Sequence, residues 1–207
     1  MTRTTQDRIK VPISDFIVDN RRLLLFLTLF LCGTFGGVMV FTACHDAITH
    51  ELSVILSVEK IDGGFLGGIS ALFSSSFLTL ILLAVLFLSG LSACGAPVTA
   101  LVPLFFGLGL GMTEAYYYGV GSVGILFSAL LIIPHQLIAA AALLMGCSES
   151  LRMTLLISGQ LLPSVHCGGL WQDFKLYCMR FLIFVGVAFA AGVVDVLLRL
   201  LCLGWFV

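Results

Sequence analysis

The feature that most constrains this chain is a series of long stretches with almost no charge, each close to the roughly 20 residues an α-helix needs to cross a hydrocarbon layer of about 30 Å. Read by that ruler, the apolar segments fall at about 23–41, 74–91, 97–118, 122–145 and 181–202. Backbone polar groups have no water partner in lipid, so such segments form helices, which satisfy those groups internally. Composition agrees: 60% of the 207 residues are hydrophobic and only 10% charged, too few charges to cover the surface of a water-soluble domain. The expected fold is all-α, a polytopic helical membrane bundle of five transmembrane helices plus interfacial helices. It forms a single integral membrane domain over 1–207.

Ten Lys and Arg against 11 Asp and Glu leave a net charge of −1, with no basic face for nucleic acid. The cations are unevenly placed. With the N-terminus in the cytoplasm, Arg3, Arg8, Lys10, Arg21, Arg22, Arg152, Lys175 and Arg180 lie inside, and only Lys60 and Arg199 lie outside. Cytoplasmic enrichment of Lys and Arg therefore orients the chain N-in and C-out in the cytoplasmic membrane. Residues 1–22 become a cytoplasmic segment, 43–73 an extracytoplasmic linker and 147–178 a cytoplasmic interfacial elbow. The first apolar stretch is nearer a full span than the short core of a cleaved signal, and is expected to stay in the mature chain. Within the linker, Ile48, Leu52, Ile55 and Leu56 recur at helical spacing among polar residues, which predicts an amphipathic interfacial helix over 46–60. In the elbow, the apolar run 153–162 is too short to cross.

Few residues invite chemistry. The seven Cys form no CxxC, and His45 and His50 align poorly on one helix face, so neither a metal site nor a disulfide framework is expected. No GxSxG, HExxH or P-loop is present, and no span carries paired carboxylates. The expectation is a protein that is not an enzyme and carries no cofactor.

Several residues stand out inside the spans. Gly107 and Gly111 share a helix face, as do Gly33 and Gly37, and small residues at this spacing let helix backbones approach. That serves packing within the bundle, and homo-oligomerisation through the same faces stays open. Gly90, Gly95 and Pro97 make a tight hairpin, with proline suited to the first turn of the following helix. Ser92 and Thr99 are its polar members. Pro134, in the fourth span, cannot bond the Leu130 carbonyl and predicts a kink. His135 and Gln136 follow at membrane depth, where they bond freed carbonyls or reach across helices; a proton or ion relay is the other reading of His135. Asp195 and Arg199 are four apart and can pair. Glu114 joins them if the third and fifth spans touch, as a helix clasp or a partner site.

The order of these features carries a resemblance. Gly90, Leu91, Ser92, two residues, Gly95, one residue and Pro97 form a GLSxxGxP turn; Phe106, Gly107 and Gly111 follow, then Pro134, His135 and Leu137. Leu72, Phe73, Ser76 and Phe77 precede the set; Phe174, Tyr177 and Cys178 come before the last span, and Asp195 lies within it. Over roughly residues 72–201 the chain resembles the stage II sporulation protein M family of bacterial membrane proteins. The resemblance implies a non-catalytic membrane scaffold of sporulation engulfment that recruits peptidoglycan-degrading partners, the stage II sporulation proteins P and D, in cell wall remodelling. The alternative from the residues alone is a small-solute or ion permease subunit, for which glycine-rich spans and a proline-broken helix speak; five unequal spans do not divide into the matching halves of an inverted repeat.

Overall fold

The computed structural model describes residues 21–43, 65–119, 121–160 and 170–206, and for 65–75, 123, 127, 160, 170, 199, 200 and 202–206 the backbone alone. The expected amphipathic helix over 46–60, the cations Arg3, Arg8 and Lys10, and residues 161–169 lie outside these residues. All described elements are helical: α1 (Arg21–Ala43), α2 (Phe65–Gly90), α3 (Ala96–Gly119), the short α4 (Ser122–Phe127), a π-helical turn (Ser128–Ile132), α5 (Ile133–Gln160) and α6 (Leu170–Phe206). Four segments, Arg21–Ala43, Ala96–Gly119, Gly124–Gly159 and Trp171–Leu198, are long and apolar enough to cross a membrane, and Ser76–Gly90 is a shorter apolar helix. The architecture is that of a helical membrane protein.

Three boundaries differ from expectation: α2 begins at Phe65, within the expected linker 43–73, and two others lie at the elbow. The fourth span does not stop near residue 145 but continues through the first half of the expected elbow to Gln160. Nothing between breaks it: Gly146 and Gly159 lower helix propensity without ending a helix, and the next proline is Pro163. Likewise α6 begins at Leu170, so the residues before the last span are its first turns. The elbow's described parts are the ends of two long helices.

The helices pack in two tiers. α1 and α3 run parallel in close backbone contact: a Cβ on Gly33 or Gly37 would meet the backbone of Leu104 or Leu108, and one on Gly107 or Gly111 that of Phe30 or Thr34. Both expected glycine faces are therefore turned towards each other within one chain. Phe30 and Phe106 stack beside this seam, with ring centroids 6.2 Å apart. The second tier is α2, α5 and α6, with Leu83, Leu86, Leu143, Cys147 and Ala188 buried between them. Exposed Leu, Ile and Phe side chains stud the outer faces of all the long helices, as suits surfaces that meet lipid. Pro103, inside α3 and buried, passes without ending that helix.

Candidate functional site

At one end of the bundle the GLSxxGxP turn closes α2 onto α3. A helix leaves its last four carbonyls without intrahelical partners, which is costly away from water. Here other helices supply the donors. The Tyr177 hydroxyl of α6 donates to the Phe87 carbonyl at 3.0 Å, and the Ser150 hydroxyl of α5 to the Leu86 carbonyl at 2.8 Å. The Thr154 hydroxyl reaches the Ser89 carbonyl at 3.3 Å, and that carbonyl also accepts from the Ser92 N–H at 3.0 Å. The Leu91 N–H donates to Leu88 at 3.2 Å.

The turn glycines follow from this closure. A Cβ on Gly90 would strike the Tyr177 hydroxyl, and one on Gly95 the Ser89 carbonyl. Pro97 sits, exposed, in the first turn of α3, where its missing N–H costs nothing. Ser92 is exposed and its Oγ accepts from the Cys94 N–H at 3.3 Å, while Thr99 is buried and donates to the Ala96 carbonyl at 2.7 Å. Both serve the local backbone. An aromatic cluster holds Tyr177 in place: its ring lies 5.3 Å from Phe87 and 4.7 Å from Phe181.

Beside the turn, Glu149 on α5 pairs with Arg180 on α6 and, at 3.6 Å, with Arg152; Arg152 in turn lies 3.9 Å from Asp173. These half-exposed pairs contribute little stability each. They do place Glu149 and Arg152 of α5 with Asp173 and Arg180 of α6 on one patch.

The second polar group lies deep in the bundle. Glu114 of α3 is 7% exposed; its Oε2 accepts a hydrogen bond from the buried Ser128 hydroxyl, and Oε1 has no hydrogen-bond partner among the described residues. Ser128 opens the π-helical turn, and His135 follows one residue after Pro134. The backbone irregularity expected at Pro134 thus takes the form of a π turn immediately before it. Wider turns of this kind accommodate an extra residue and recur at functional sites. His135 Nδ1 lies 3.2 Å from the Leu131 carbonyl and 3.4 Å from the Asp195 carboxylate of α6. His135 therefore bonds the carbonyl four residues behind itself, and Asp195, 1% exposed, meets it across the helix interface.

Of the expected cluster, Glu114 and Asp195 are not brought together, and the pairing of Asp195 with Arg199 lies outside the described residues. Among the described residues α3 and α6 do not touch, because α5 and the π turn lie between them, so Glu114 is taken up by Ser128 and Asp195 by His135. The side chain of Arg199 lies outside the described residues. Sequence reading missed Ser76 and Thr79 as polar core residues. They are buried on α2 and, with Phe106, His135 and Gln136, line a cavity of about 40 Å³. Their spacing of three, at the point where a run of serines gives way to an apolar stretch, was the available signal. Among the described residues no group of three His, Cys, Asp or Glu could hold a metal ion. Comparison with protein-family models, with curated proteins and with solved structures finds no match.

Proposed function

We propose that this chain is a non-catalytic scaffold of the cytoplasmic membrane that positions peptidoglycan-degrading partners, the stage II sporulation proteins P and D or equivalent hydrolases, during engulfment. In this reading α2 is the fifth crossing helix: its 26 residues extend about 39 Å at 1.5 Å per residue. Five crossings put the N-terminus in the cytoplasm and the C-terminus outside, with the Glu149, Arg152 and Arg180 patch on the cytoplasmic side.

The observation that carries the reading is the convergence of the motif pieces. Tyr177 stands far in sequence from Gly90 and Gly95, which share one turn, yet all three are fitted to the same helix end. Residue sets that depend on each other in space are what a shared family pattern consists of, and a coincidental string of matches has no reason to meet. The backbone-close α1 and α3 seam adds a stiff framework, as a platform for other proteins requires.

Deleting the gene in its source and following the mother-cell membrane by fluorescence tests the proposal. Stalled engulfment, with hydrolases co-purifying from native membranes, is the expected result. Normal membrane migration refutes it.

One observation favours a second reading, a small-solute or ion permease subunit. Glu114, His135 and Asp195 are ionisable groups buried in the bundle, a costly placement that commonly marks a transport path. Against it, the cavity beside His135 has room for only a few waters. Flux through reconstituted protein that falls on replacing His135 or Asp195 would establish this reading, and inert liposomes would remove it.

A further inference from the structure

A buried hydroxyl without a partner forfeits the hydrogen bonds it had in water, a cost of roughly 1–3 kcal/mol, so each such group calls for an occupant. Ser76 Oγ is one: it is 3% exposed and has no hydrogen-bond partner among the described residues. It lines the cavity of about 40 Å³ between α2, α3, α5 and α6, opposite His135. One water needs roughly 10–15 Å³ of such space, so about three fit, and Ser76, Thr79, Gln136 and His135 provide the polar partners a wet cavity requires.

The histidine is set to use that water. Both groups beside Nδ1, the Leu131 carbonyl at 3.2 Å and the Asp195 carboxylate at 3.4 Å, accept hydrogen bonds. The ring proton of neutral His135 therefore sits on Nδ1, and Nε2 carries a lone pair. Both of these contacts are made by Nδ1, not Nε2. We propose that the cavity between α2 and α5 is a hydrated proton-binding site, in which water bridges Ser76 Oγ to His135 Nε2 and delivers a proton there, while Asp195 holds the resulting imidazolium through Nδ1–H.

The step is a simple transfer: an O–H bond of hydronium breaks as the N–H bond at Nε2 forms, and water is left behind. The groups facing His135 are consistent with it. Among the described residues α6 presents Asp195, with the side chain of Arg199 one turn further on lying outside them; α2 presents the neutral Ser76 and Thr79; α3 presents Phe106; and Glu114, further along α3, is engaged by Ser128. Protonation converts a dipole facing a carboxylate into an ion pair, which binds α5 to α6 more tightly. This inference does not depend on the scaffold reading, since a proton site can tune a scaffold or serve a transporter alike.

Nitrogen-15 NMR of histidine-labelled full chain in lipid bilayers tests it, with the His135 signal assigned by its loss in His135→Gln. At about pH 9 the expected signal is the Nδ1–H tautomer with Nε2 exchanging magnetisation with water; acidification towards about pH 4 is expected to yield the imidazolium. Ser76→Val fills the cavity and removes the hydroxyl, and should abolish the water exchange. An Nε2–H tautomer, an Nε2 without water contact, or a ring neutral throughout that range overturns the proposal. Exchange unchanged in a folded Ser76→Val protein also overturns it, and if that variant does not fold the wild-type spectra still decide.

Discussion

Gly33, Gly37, Gly107 and Gly111 each face a neighbouring backbone with no room for a methyl group, whereas Gly36 and Gly109, on the same two helices, have nothing within 4 Å of a Cβ position. This contrast turns a common small-residue pattern into a quantitative expectation. Gly37→Ala or Gly107→Ala should separate α1 from α3 and destabilise the protein by about 1–3 kcal/mol, the usual cost of overpacking. Gly36→Ala and Gly109→Ala should be neutral or slightly stabilising, because alanine is the better helix former. Thermal midpoints of the four variants in one detergent check both halves. At Tyr177 the ring and the hydroxyl can be separated. Tyr177→Phe keeps the stacking on Phe87 and Phe181 but strips a donor from the Phe87 carbonyl. A loss of about 1–3 kcal/mol is expected for the orphaned carbonyl, and equal midpoints for wild type and variant would show the ring alone to matter.

Among the elements, the segment from Ser122 to Gln160 departs most from a regular rod. α4, the π turn and α5 follow one another without a loop, and the π turn ends one residue before the helix that carries Pro134 begins. The proline's missing N–H removes a bond that a regular α-helix would draw towards Leu130, so the wider turn is no worse than the narrow one there. Pro134→Ala restores that donor and should let the segment rewind as α-helix. Rewinding rotates Ser128 relative to His135 and breaks its hydrogen bond to Glu114. Spin-label distances between α4 and α5 should shift in the variant, and an unchanged distance would assign the π turn to packing and not to the proline. The same reasoning shows what was legible. Pro134 announced an irregularity; its type depended on whether Ser128 could find a partner, and that partner, Glu114, comes from another helix.

At the scale of the whole molecule, the bundle buries several polar residues beside its apolar core and leaves many large apolar side chains exposed on its outer faces. Thr99, Ser128, Ser150, Thr154 and Asp195 are almost wholly buried, while Leu88, Phe105 and Leu182 are exposed. Apolar outer faces suit a lipid solvent, and burial of the polar groups suits one that offers no hydrogen bonds. This arrangement also makes a prediction about access. Cys94, exposed in the turn, should react with a membrane-impermeant thiol reagent from the cytoplasmic face, and buried Cys147 should not react from either side. Labelling of Cys94 from outside would reverse the proposed orientation.

By itself the sequence determined that the chain is helical and suited to a membrane, where each long helix runs to within a few residues at most ends, and which residues deserve suspicion. Those properties are local: a run of apolar side chains, a glycine pair four apart or a proline in a span has the same meaning whatever surrounds it. The tertiary structure alone decided that the two glycine faces satisfy each other, that Tyr177 closes the helix end at Gly90, that Glu114 goes to Ser128 while Asp195 meets His135, and that Ser76 opens on a cavity. Pairings of this kind join residues tens of positions apart, and in a medium without water every buried polar group must find its partner among whichever helices happen to lie next to it.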